Sequence, residues 1–102
     1  MTPKYAAAWK HVETAVTKLT QGLDAIPGVM SVHAQYTEPI AVAVVLVLTE
    51  DAKKAMRRLE RHLFDENPDL PLDLHVHAVH EEDLHVRQQS LETAYGRVWS
   101  RD

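Results

Sequence analysis

Nine consecutive apolar residues, Ile40 to Leu48, read Ile-Ala-Val-Ala-Val-Val-Leu-Val-Leu and are rich in β-branched side chains. Pro39 and Thr49 bound the run. Successive side chains of a strand point to opposite faces of its sheet, so a strand with one wet face alternates apolar and polar residues. This run offers nothing polar to either side, which is the pattern of a strand covered on both faces. The rest of the chain must then supply neighbours for its edges and a layer over each face. With 102 residues there is material for one domain, 1–102, with a single core.

The flanking segments can be read for that role. Tyr5, Trp9, Val12, Val16, Leu19, Leu23 and Ile26 recur at alternating steps of four and three, one stripe of a long amphipathic helix. Thr2 can cap it with Pro3 at its first position, and Pro27-Gly28 is the expected stop. A helix of about 22 residues would extend roughly 33 Å, beyond the length of an ordinary strand. Part of its stripe, with Tyr5 and Trp9, could therefore meet a second subunit instead of its own sheet. Val29 to Thr37 alternates, with Met30, Val32, Ala34 and Tyr36 inward and Ser31, His33, Gln35 and Thr37 on a polar face. A turn at Thr37-Glu38-Pro39 predicts antiparallel pairing with the apolar run.

Thr49-Glu50-Asp51 should cap a second helix that buries Ala52, Ala55, Met56, Leu59 and Leu63 and stops at Asn67-Pro68. Leu70 to Val79 alternates again, Leu72, Leu74, Val76 and Ala78 facing in, Asp73, His75 and His77 facing out. Glu81-Glu82-Asp83 predicts the start of a last helix over 84–99, with Leu84, Leu91, Ala94, Tyr95 and Val98 on its apolar side and Trp99 beside it. The predicted order is α-β-β-α-β-α. It describes an α+β fold with a three-stranded mixed sheet, strand 40–48 central between an antiparallel and a parallel neighbour, and helices packed on the sheet. The first two helices cover one face; the last helix or a second subunit must cover the central strip of the other.

Composition narrows the function classes. The absence of Cys excludes a disulfide framework, a thiolate zinc site and a thiol nucleophile. No Gly-rich phosphate loop or Gly-x-Ser-x-Gly elbow is present, and no enzyme activity is expected. A net charge of −4, no aromatic stacking pair and no Gly-x-x-Gly loop make nucleic acid an unfavoured partner. Lys53, Lys54, Arg57, Arg58 and Arg61 do form a basic stripe on the 52–63 helix, which could contact RNA or another phosphate. Its plainer reading is a solvated face. Nine apolar residues are too few to span a bilayer, which takes roughly 20 as a helix, so no membrane insertion is expected. With no secretory pattern at the N-terminus, the expected location is the cytoplasm.

Histidine is the one residue type that clusters. Five of seven fall at His33, His75, His77, His80 and His85, four of them between Leu74 and His85 beside Glu81, Glu82 and Asp83. His75 and His77 share a strand face, roughly 7 Å apart. A His-x-His pair can give two imidazoles to one zinc, with the others from His33, His80 or a carboxylate. The candidate metal set is thus His33, His75, His77 and His80. Two other readings stand beside it: ordinary polar residues on a strand face, and a pH-sensitive interface, since imidazole titrates near pH 6.5.

Ile26-Pro27-Gly28-Val29, then Val32-His33, a hairpin, a helix, Asn67-Pro68 and Leu72-Asp73-Leu74-His75-Val76-His77 together resemble the cytoplasmic C-terminal domain of cation diffusion facilitator (cation efflux) transporters. The likeness covers about two thirds of the chain. It implies a ferredoxin-like, metallochaperone-like fold, a homodimer, and a divalent metal such as zinc, with ligands at the positions of His33, His75 and His77. The chain departs from that pattern in four places. No His interrupts 40–48, Lys53 stands near the family's helical His, His77 replaces an acid, and the segment 84–99 runs past the usual end. Transport itself cannot be the activity of a chain with no transmembrane part. The expectation is a small soluble binding domain that takes divalent metal; the alternative is a protein-interaction or regulatory module without metal.

Overall fold

The apolar run forms a central strand, β2 (Ala41–Val47). On one edge β1 (Val29–Gln35) pairs antiparallel; on the other β3 (Leu72–Ala78) pairs parallel. The crossover between the parallel strands is a helix, α2 (Glu50–Glu66). Its N-terminus is closed by the Thr49 hydroxyl, which accepts the Ala52 N–H at 3.1 Å. Asn67 closes its other end, donating from both its backbone N–H and its side-chain amide to the Leu63 carbonyl at 3.0 Å. A helix α1 (Pro3–Gln21) precedes β1. The computed structural model describes residues 3–36 and 40–101; the Thr2 cap, the Thr37-Glu38-Pro39 turn and the side chains of Tyr5 and Trp9 lie outside the described residues.

The structure corrects the sequence reading at several points. Helix α1 ends at Gln21, because Gly22 is a poor helix residue, and a 3₁₀ turn over Leu23–Ala25 carries the stripe on to the buried Leu23. The predicted last helix over 84–99 divides into α3 (Leu84–Glu92), a turn, and a fourth strand, β4 (Gly96–Ser100), antiparallel to β1. The sheet is therefore four-stranded, in the order β3-β2-β1-β4. Helical spacing at Ala94, Tyr95 and Val98 loses because the far edge of β1 offers unpaired backbone groups and Val98-Trp99 suit a pleated surface. Ser31 and His33, assigned to a solvated face, are fully buried. Ala78, assigned inward, is exposed.

A bulge at Met30 sets the faces of β1. The extra residue shifts the alternation, so Val29 as well as Val32 and Ala34 turns toward the helices α1 and α2. There they join Ala43, Val45 and Val47 of β2, Leu72, Leu74 and Val76 of β3, Val12, Val16 and Leu19 of α1, and Met56 and Leu63 of α2. The opposite face holds Val44 and Leu46, 4% and 0% exposed, between Ser31 and His33 on one side and His75 and His77 on the other. The segment after β3 folds back over this face, so the central strip is covered within one chain.

The C-terminal end of the described chain returns to the entry to β1. Gly28 has φ 91°, and a Cβ there would lie 2.9 Å from Thr49 Oγ1 and 3.1 Å from Ala52 Cβ. Just past β4, the Arg101 guanidinium donates to the carbonyls of Val29 at 2.8 Å, Leu23 at 2.8 Å and Ile26 at 2.9 Å. It also lies 5.6 Å from the centroid of Trp99. One side chain thus ties β4 to the turn that connects α1 with β1. Gly28→Ala should cost about 1–2 kcal/mol for the left-handed backbone and about 1 kcal/mol more for the disturbed Thr49 cap, measured by urea unfolding. Arg101→Ala should cost roughly 2 kcal/mol. Arg101→Lys should recover only part of that, because a single ammonium cannot reach three carbonyls as a planar fork does.

Candidate functional site

Strand register puts the candidate residues on a grid. Across the face opposite α1 and α2, one row runs Arg97, His33, Val44, His75; the next runs Ser100, Ser31, Leu46, His77. His33 is therefore two strands from His75, roughly 9–10 Å at the backbone, with Val44 between them. It belongs to a different environment. Its Nε2 is 2.8 Å from Ser31 Oγ, which in turn accepts a hydrogen bond from Gln88 Nε2 of α3 at 3.1 Å. His80 is exposed beyond the end of β3, where its carbonyl accepts the Asp83 N–H at 2.9 Å. His85, on α3, is exposed as well.

The pair that does come together is His75 and His77, on an edge strand. Their ring centroids are 6.1 Å apart in an edge-on arrangement. Asp73, next on the same face, accepts a hydrogen bond from His75 Nε2 at 2.9 Å. That contact orients the His75 ring and leaves Nδ1 as its lone-pair nitrogen, the arrangement in which a carboxylate holds a metal-binding imidazole. His77 is held differently: Arg87 of α3 donates to its Nδ1 at 3.3 Å. Among the described residues no three His, Asp or Glu side chains stand close enough together to hold a metal ion. One chain presents two imidazoles and a supporting carboxylate, half of a tetrahedral shell.

Arg87 and Gln88 are the residues that sequence reasoning missed. Nothing in the pattern of α3 marks them, because each is defined by what lies across the sheet face. Two further histidines were also unassigned. His11 and His62 line a groove of about 480 Å³ between α1 and α2, floored by Leu19 and Leu59, where His11 Nε2 lies 3.0 Å from Asn67 Oδ1. The basic stripe of α2 is largely solvated; Arg57 pairs with Glu60 at 3.2 Å. Among the described residues no helix is long and apolar enough to cross a membrane.

Comparison of the chain with protein-family models, with curated proteins and with solved structures finds no match. The class that fold and site define is an α+β domain with a mixed four-stranded sheet and a His-bearing edge strand.

Burial lowers the pKa of His77, and the neighbouring charges of Arg87, His75 and Lys53 lower it further. A group with a depressed cationic pKa contributes stability that is complete above its unfolded value near 6.5 and declines as pH falls from there toward the folded value. In an NMR titration the His77 ring should therefore titrate below pH 6.5. Arg87→Ala should raise its midpoint without restoring the ordinary value, since burial, the larger cause, remains.

Proposed function

We propose that this chain is a binding domain that works in the cytoplasm as a homodimer and takes a divalent metal such as zinc through His75 and His77. The observation that carries this reading is the pair itself: two imidazoles on the same face of an edge strand, one of them oriented by Asp73. An edge strand is a template for pairing with a second copy. If β3 pairs antiparallel with its counterpart about Val76, each His75 stands opposite the partner's His77, with Cβ atoms about 4.5–5.5 Å apart. Four imidazoles then surround one point, the number a closed zinc site uses. The resemblance to cation efflux domains supports the same ligand class. The ferredoxin-like part of that resemblance rests on the α-β-β-α-β segment, since a full β-α-β-β-α-β motif begins with a strand and α1 precedes β1 here.

A second reading, an interaction or regulatory module without metal, is favoured by one contact: Arg87 places a cation and a donor on His77 Nδ1. Native mass spectrometry at pH 7.5 separates the two. The metal reading expects one zinc per two chains, with both zinc and the zinc-dependent dimer lost in His75→Ala/His77→Ala. It also expects Arg87→Ala to tighten zinc binding, because the competing guanidinium is gone. A chain that stays monomeric and zinc-free, or a double variant that binds zinc as well as the parent, overturns it in favour of the module.

A further inference from the structure

His33 is a fully buried titratable group that the proposed metal site does not use. Its Nδ1 has no hydrogen-bond partner, while its Nε2 is shared with Ser31 Oγ. Ser31 is equally buried, and its oxygen also receives the Gln88 side-chain amide from α3. The three side chains form a chain of hydrogen bonds from the interior of β1 up to the helix above it. Apart from this chain and the Arg87–His77 hydrogen bond, that helix is lightly held: none of its residues is buried, and Val86 is 67% exposed. Side chains of α3 bond Ser31 and His77, and between those two in the register lies Leu46, with Val44 two residues along β2; both are buried. Helix α3 is thus a cover fastened over an apolar strip, with a titratable ring at its fastening.

We propose that His33 is an acid-operated latch: while neutral it holds α3 on the sheet, and on protonation it lets α3 lift away and uncover Val44 and Leu46. The chemistry follows from the count of donors. In the neutral ring with the proton on Nε2, that N–H donates to Ser31 Oγ and Nδ1 is left only as an unused acceptor. Adding a proton turns Nδ1 into a buried, charged N–H with nothing to receive it, and such a group is far more costly than an idle acceptor.

The charged groups that reach His33 do not repair this. Arg97, its neighbour on β4, repels the cation; Glu92, at the end of α3, attracts it but is already paired with Arg97. From β2 the opposing residue is the apolar Val44. Burial and Arg97 both lower the His33 pKa, outweighing Glu92. The cheapest way for a protonated ring to find a partner is to reach water, and α3 is what stands in its way. Opening therefore becomes easier as pH falls below about 6.5, the ordinary imidazole value that the opened state regains, and levels off below the value of the closed state.

Amide hydrogen exchange of the metal-free protein, with chelator present, tests the latch between pH 7.5 and 5.0. After correction for intrinsic exchange, protection of the α3 amides should fall by up to about tenfold per pH unit below 6.5, the slope of a single proton, while β2 and α2 keep theirs. His77 is the other imidazole that α3 touches, through Arg87, so the decisive comparison is made in a His77→Gln background: there His33→Gln, which has no proton to gain, should make α3 protection independent of pH. Gln88→Ala leaves His33 in place and should lower α3 protection at every pH, which covers the case that His33→Gln does not fold. The latch is overturned if wild-type α3 protection is unchanged down to pH 5.0, if α3 and the central strands lose protection together, or if His33→Gln keeps the pH dependence in the His77→Gln background.

Discussion

A strand that is apolar on both faces and paired along both edges sets the terms for everything around it. Buried on one side against α1 and α2 and on the other beneath the returning segment 79–95, β2 can be stable only if the chain closes two layers over one sheet. The hairpin with β1 and the crossover through α2 solve the edges. The two faces are solved unequally, and that inequality is where the chemistry of the molecule lies.

The face toward α1 and α2 is dry. Its contacts are aliphatic, from Val12 and Leu19 through Val45 to Met56, and the polar groups nearby belong to helix ends that Thr49 and Asn67 satisfy. The face toward α3 mixes apolar and polar residues at close quarters. Val44 and Leu46 sit between His33 and Ser31 on one strand and His75 and His77 on another. Each polar neighbour has a partner on the returning segment or on its own strand: Gln88 for Ser31, Arg87 for His77, Asp73 for His75. A helix held by such bonds depends on the protonation and charge of what it touches, whereas the dry face does not.

The same geometry divides the histidines into two populations. His75 and His77 stand on an edge, within reach of solvent and of another molecule. His33 lies two strands inward with one nitrogen unused. Treating them as one cluster, as their residue type invites, joins side chains that Val44 keeps apart.

Much of the architecture was legible in the residues alone. Strand period, helical stripe and turn chemistry depend on neighbours in sequence, so β2, the hairpin partner β1, the α2 crossover with its Thr49 and Asn67 ends, and the inward face of β3 could all be read from the chain. The pairing of His75 with His77 was legible for the same reason, since residues two apart on a strand share a face. What only the tertiary structure decided depends on residues far apart in sequence. The free edge of β1 turned residues 96–100 from helix into strand, the Met30 bulge shifted the faces of β1, and α3 buried His33 that the alternation had left in water. Local pattern encodes which way a side chain points; what it then meets is settled by packing, which no stretch of neighbouring residues contains.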